Sequence, residues 1–359
     1  MANVTYLIGA GASAGKRDKG NVIEGLPCVN EIPLRINHIV TLLRNTPIPS
    51  NITWQNSQLG LNSKEDWEKA REVVINQFQE LYKYCSENAT IDTYAKKLVL
   101  KKEKDKFKHL EQMLTLFFMF EEMWYKPDSR YDTFLANILT ENLHFPDNIR
   151  FISWNYDNQF EITYSEYNPN GNLLVGSKRT IFNTRHEITK INGTASFIDR
   201  EQSFAIYRRK FLIEKGISKV DLLQKNSTNY VSAKAQAKEN RWALELIFLY
   251  KLYIEGKEDN TDLSFAFDYN YPSDQILQSI DYIIGTTDVL VIIGYTFPFF
   301  NREIDRKILQ HLKPNAKIYI QDLNPERIKQ SLMAVLPDFP EEQIFLRKDV
   351  DQFFLPPEL

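Results

Sequence analysis

Five of the 13 glycines in this 359-residue chain, Gly9, Gly11, Gly15, Gly20 and Gly25, crowd into its first 30 positions. Glycine is otherwise scarce, at about half its usual share, so the cluster demands a local reason. It comes directly after Val4-Thr5-Tyr6-Leu7-Ile8, a short apolar run that is partly β-branched. The run reads as a buried strand, Gly9-Ala10-Gly11-Ala12-Ser13-Ala14-Gly15 as a tight turn that leads into a helix start. The first 30 residues are therefore the first place to look for a ligand.

Leu34, Ile36, Ile39, Val40, Leu42 and Leu43 recur at helical spacing, whereas residues 46–64 are rich in Pro, Asn, Ser and Thr and read as a loop. Residues 65–145 are helical in pattern throughout: Trp67, Ala70, Val74, Phe78 and Leu81, then Tyr94 to Leu100, Leu110 to Trp124 and Tyr131 to Leu143. They predict an inserted helical bundle. Its basic run, Lys101 to Lys108, is broken by Glu103 and Asp105 and reads as a solvated helix face. Strands resume with Ile149 to Trp154 and a run ending at Ile191. Residues 199–275 contain one clear helix, Arg241 to Ile254, in polar sequence, and are expected to form a second insertion or a lid. The last third alternates cleanly: helix Asp274–Ile284, strand Asp288–Ile293, helix Arg302–Leu312, strand Ala316–Gln321, helix Pro325–Leu336, strand Gln343–Leu346.

This alternation predicts an α/β fold: a Rossmann-like parallel sheet with helices on both faces, interrupted by the helical bundle. The expected organisation is sheet domain over 1–50, bundle over 65–145, sheet again over 146–198, second insertion or lid over 199–275, and sheet over 276–359. Two cysteines cannot build a four-thiolate zinc site, and no two histidines stand at metal-ligand spacing, so no metal is expected. With no long apolar run and no leader pattern, a cytoplasmic chain with no membrane span is expected. A net charge of -3 provides no global attraction for nucleic acid, which is expected to be involved only indirectly.

In a doubly wound sheet, ligands lie beyond the carboxyl ends of the strands. Four such ends carry small or polar groups where a core wants neither: Gly9-Ala10-Gly11-Ala12-Ser13, Trp154-Asn155-Tyr156-Asp157, Gly294-Tyr295-Thr296-Phe297-Pro298 and Asp322-Leu323-Asn324-Pro325. Singly each reads as turn and cap chemistry; together they predict a nucleotide site. A hydride-transferring dinucleotide enzyme is disfavoured, because Glu24 stands in a loop where an acidic residue ending a second strand is wanted.

With Gly25-Leu26-Pro27 and Ile191-Asn192-Gly193 added in order, the chain resembles the sirtuin-like superfamily, and within it the bacterial effectors of anti-phage defence. The resemblance covers the sheet, about half of the chain. It implies NAD as substrate and cleavage of the bond between nicotinamide and ribose. Gly9, Ala10, Gly11, Ser13 and Pro27 would then belong to the dinucleotide-binding loop, with Ala10, Gly11 and Ser13 lining the pyrophosphate. Asn155 would position the reactive ribose or a water, Asp157 would hold the nicotinamide carboxamide, Gly294 and Thr296 would contact phosphate or ribose, and Asn324 would face the adenosine ribose. It also implies a homo-oligomer, or a second defence protein that activates or restrains the chain.

Two departures bear on the activity. The family's deacetylases carry a four-cysteine zinc module that this chain cannot form. The family's histidine general base is replaced by Asn192, which cannot accept a proton at neutral pH. His186 stands six residues earlier on the same strand, roughly 20 Å away at about 3.3 Å per residue, too far to substitute. The expectation is thus an NAD glycohydrolase acting as regulated effector of abortive infection. The alternatives are a catalytically degenerate NAD, ADP-ribose or nucleotide sensor, and a scaffold acting through the bundle. Asn155 is expected to be an exposed strand-end group, replaceable with little loss of stability.

Overall fold

The computed structural model describes residues 1–18, 21–48, 57–168, 173–175, 179–182, 186–196, 241–255, 261–268 and 274–359. Gly20 and most of the predicted second insertion lie outside the described residues.

The apolar run at the start is β1 (Val4–Ile8), and short strands β2 (Arg17–Asp18) and β3 (Asn21–Val22) pair with each other as a separate ribbon. Helices α1 (Ile32–Asn45), α2 (Lys64–Glu87), α3 (Ile91–Leu100), α4 (Lys104–Trp124) and α5 (Ser129–Ile138) come next. Then come β4 (Ile149–Ser153), α6 (Gln159–Tyr167), β5 (Leu173–Val175), β6 (Arg179–Phe182) and β7 (His186–Lys190). The remaining elements are a helix over 241–250 (α7), α8 (Asp274–Thr286), β8 (Val289–Ile293), α9 (Arg302–Leu309), β9 (Lys317–Gln321), α10 (Pro325–Met333) and β10 (Ile344–Arg347).

The main sheet has eight strands in the order β10-β9-β8-β1-β4-β7-β6-β5. Its first six strands pair in parallel, and β6 pairs antiparallel with both β7 and β5. The parallel strands fall into two halves that run outward from β1, one through β4 to β7 and the other through β8 and β9 to β10, as in a Rossmann sheet, with the order reversing beside β1. Both faces are covered because side chains alternate along each strand. Val4, Tyr6 and Ile8 meet α5, α6 and Phe353, while Leu7 meets α8, α9 and α10. The fold is α/β and Rossmann-like.

A third core belongs to the bundle and contains α1 as well as α2 to α4. Helix α1, expected with the sheet domain, packs its Ile36, Ile39, Val40 and Leu43 there. Helix α7 also joins it: Trp242 stands 5.5 Å from Trp124 and 6.3 Å from Phe120, ring centre to ring centre. That part of the expected lid is bundle core. The helix expected to run to Leu143 ends at Ile138, where Leu139 turns extended and Leu143 itself takes a left-handed backbone. Among the described residues, no helix is long and apolar enough to cross a membrane.

Candidate functional site

The first loop is shaped by the neighbouring strand. Gly9 N–H donates to Ile293 O and Gly11 N–H to Gly294 O, each at 2.9 Å. A Cβ on Gly9 would lie 2.6 Å from Gly294 O, one on Gly11 2.8 Å from Gly294 Cα, and one on Gly294, whose φ is +60°, 2.5 Å from Ala12 N. The glycines at 9, 11 and 294 thus let two loops interlock across the point where strand order reverses. The N–H of Gly11 is taken within the protein, and the outward position is that of exposed Ala10. Arg130 holds the turn from below, donating to Gly11 O at 2.8 Å while paired with Asp128, which itself accepts Gly15 N–H at 2.6 Å. Leu26 N–H donates to Ser13 O at 2.7 Å, which seats the adjoining Pro27 in the interior.

Asn155 stands just past the carboxyl end of β4. Its Nδ2 donates to Gly9 O and to Ser13 Oγ, both at 3.0 Å, and its N–H to Ser153 Oγ at 3.0 Å. It is only 7% exposed, which overturns the expectation of an exposed group: the close approach of β1 and β4 covers it. Among the described residues nothing donates to its Oδ1. Ser13 is 2% exposed, and its hydroxyl is shared between Asn155 and the Tyr131 hydroxyl at 3.0 Å. Buried and engaged in this way, the Ser13 hydroxyl holds Asn155 instead of presenting itself outward.

Asp157 is buried and turned into its own loop. Its Oδ1 accepts Gln159 N–H at 3.1 Å, and its carbonyl accepts from Lys190 Nζ. Burial pushes its carboxyl pKa up, against the opposing pull of the Lys190 ammonium, the Gln159 N–H and the Ser13 hydroxyl. Lys190, itself buried, pairs with Glu161 at 2.8 Å.

Asn192 lies just beyond β7, next to β4. Its Nδ2 donates to Trp154 O at 3.3 Å, so it leans on the residue before Asn155. It is 7% exposed, and its Oδ1 is buried with no hydrogen-bond partner among the described residues. The segment 261–268 lies against this strand end: Ser264 N–H donates to Asn192 O at 3.0 Å, and Asp262 accepts from Thr194 Oγ1 at 2.8 Å. Ser264 Oγ is also buried without a partner among those residues. Trp154 stacks on Tyr295 at 5.5 Å and 6°, joining the loops on either side of β1.

Thr296 is exposed in the loop after β8. Asn324 is exposed after β9 and caps α10, accepting Arg327 N–H at 3.4 Å. Neither bonds to the Asn155 group among the described residues. The structure therefore gathers Gly9, Gly11, Ser13, Asn155, Asp157, Asn192 and Gly294 by direct contacts, and leaves Ala10, Thr296 and Asn324 on the outer rim.

Tyr131, Lys190 and Ser264 are part of these contacts, and Glu122 accepts the N–H of Asn158 in the loop after Asn155, although the motifs do not single them out. Tyr131 and Ser264 give no signal of their own. Lys190 does, as a charge closing the partly apolar strand before Ile191-Asn192-Gly193, and so does the Glu121-Glu122 pair inside the apolar stretch Met113 to Trp124. Among the described residues, no group of three or more His, Cys, Asp or Glu side chains is arranged to hold a metal ion.

No family model matches the chain. Mini-ribonuclease 3 of Streptococcus pneumoniae (strain ATCC BAA-255 / R6) is 40% identical over 79 residues, 21% of this chain. The chain spans 62% of the length of that curated relative.

Proposed function

We propose that this protein is an NAD glycohydrolase, releasing nicotinamide and ADP-ribose. The observation that carries this reading is the placement of two asparagine amides at the carboxyl ends of the adjacent strands β4 and β7, on one side of the point where strand order reverses. Asn155 is fixed through Gly9 and Ser13, and Asn192 through Trp154, with Asn192 Oδ1 buried and unpaired among the described residues. A buried acceptor without a donor is costly unless something else satisfies it, and a water or ribose hydroxyl fits that need. The sirtuin-like resemblance supplies the substrate class. The partial likeness to a ribonuclease lends nothing to NAD cleavage.

The chemistry asks little of a base. The bond between ribose C1′ and the pyridinium nitrogen breaks, its electron pair neutralises the ring, and nicotinamide leaves without a proton. The ribosyl cation is stabilised by fixed dipoles, and water adds to C1′ as its proton passes to solvent. Asn155 Oδ1 orients the ribose or the water, and Asn192 Oδ1 accepts a hydrogen from the same group. Ser13 and Tyr131 act behind Asn155. Neither amide takes a proton at neutral pH, and a general base is worth about a hundred- to ten-thousand-fold. The resting rate is correspondingly low, which suits an anti-phage effector kept silent until a second copy or a partner protein signals infection.

Asn192 also favours a second reading, a sensor that binds NAD or ADP-ribose without turnover. Asn192→His separates the two. Under the hydrolase reading, nicotinamide release rises by about a hundred- to ten-thousand-fold as a base is restored. An unchanged rate would mean that Asn192 does not face the attacking water, and tight NAD binding without products in every assembly state would establish the sensor.

A further inference from the structure

Glu121 and Glu122 stand side by side in the apolar half of α4 yet serve different neighbours. Glu121 pairs with Arg35 of α1, both oxygens engaged at 3.0 and 3.1 Å. Glu122 reaches across to the sheet. It is 2% exposed; Oε1 accepts Asn158 N–H at 2.5 Å and Oε2 accepts from Asn158 Nδ2 at 3.3 Å. Asn158 closes the loop that begins at Asn155, and its Oδ1 accepts from Lys190 Nζ at 3.4 Å. Lys190 also bonds Asp157 O and pairs with Glu161 of α6. One ammonium therefore pairs directly with the Glu161 carboxylate and acts electrostatically on two further buried carboxyl groups, Glu122 from the bundle and Asp157 from the sheet side. Tyr131 of α5, whose hydroxyl meets Ser13 Oγ, is near enough to Asp157 to feel its charge.

We propose that Glu122 is a positioning residue for the candidate site: it fastens the inserted bundle to the Asn155–Asn158 loop, and its protonation state sets the negative charge behind that loop. In activity terms the proposal rests on the hydrolase reading; in charge terms it stands alone. Glu122 and Asp157 are both buried and act on each other, so burial and like charge disfavour ionising the two together. Burial, with the Asp157 charge beside it, raises the Glu122 carboxyl to about 8, against the N–H groups of Asn158 and the ammonium of Lys190. Ionised Glu122 adds negative potential behind the ribosyl cation and speeds its formation; protonated Glu122 does not.

Glu122→Gln reproduces the protonated form and keeps an acceptor for Asn158 N–H. Wild-type and Glu122→Gln turnover of NAD should run together near pH 6.5, and above about pH 8 the wild type should become several-fold faster. Glu122→Ala, which leaves Asn158 without its acceptor, should lose activity at every pH and be rescued by Gln. A second readout needs no NAD. An acid whose folded pKa is raised binds its proton in the native state after the unfolded chain has released it, so wild-type stability falls with rising pH between the unfolded carboxyl pKa and about 8. The Tm of Glu122→Gln should therefore gain on that of the wild type across this window and level off above it. Parallel Tm curves would overturn the proposal whatever the substrate. Diverging Tm curves with no NAD turnover in either protein would retain the charge assignment and reject the hydrolase reading. Diverging Tm curves with identical pH–rate profiles would overturn the link from Glu122 to the site.

Discussion

Asn155→Ala takes away two hydrogen bonds as well as a polar group at the crevice. Gly9 O and Ser13 Oγ lose a buried donor, so beyond abolishing turnover the change should destabilise the fold by about 1–3 kcal/mol, read by urea denaturation. A variant of wild-type stability would contradict the buried geometry. Gly294→Ala should cost about 1–2 kcal/mol from its left-handed backbone alone, and more from the 2.5 Å approach to Ala12 N, again by denaturation. Gly11→Val meets the same wall and should fail as a fold before it fails as a binding site. At this scale the strand-end residues are legible because small and polar groups are out of place where a core is expected. The use of those residues is not. The glycines serve one another across the sheet, and the Ser13 hydroxyl turns to Tyr131, 118 positions away. Local pattern carries no information about such partners.

Within the bundle, Arg35 and Glu121 form a buried pair, and truncating Glu121 alone to Ala should cost about 3–5 kcal/mol because the Arg35 charge is left behind. Replacing both with apolar residues should recover much of that loss, as a double-mutant cycle in urea would show. Trp242→Ala should cost about 3–5 kcal/mol if α7 is core, whereas a lid helix would tolerate it; the same denaturation series decides. The strands and helices of the last third are readable from periodicity, to within a few residues. Periodicity gives the existence of an apolar stripe on α1, not which layer covers it, and the stripe meets α2 instead of the sheet. The short antiparallel strands β5 and β6 escape a reading of the sequence, since neither has the length or alternation that marks a strand.

The whole molecule sets an inserted bundle against a Rossmann-like sheet, with Asn155 and Asn192 at adjacent strand ends and Glu122 joining the two parts. The sheet can be inferred as a class from alternating elements, and it fixes where a ligand belongs. It does not fix which ligand, and that step rests on the two amides and the family resemblance. The most direct measurement is separation of the products after purified full-length protein is incubated with NAD, alone and with candidate partner proteins, beside Asn155→Ala. An NAD glycohydrolase built on Asn155 gives nicotinamide and ADP-ribose in equal amounts, absent with the variant. Intact NAD in every assembly state, or products that persist in Asn155→Ala, would contradict it.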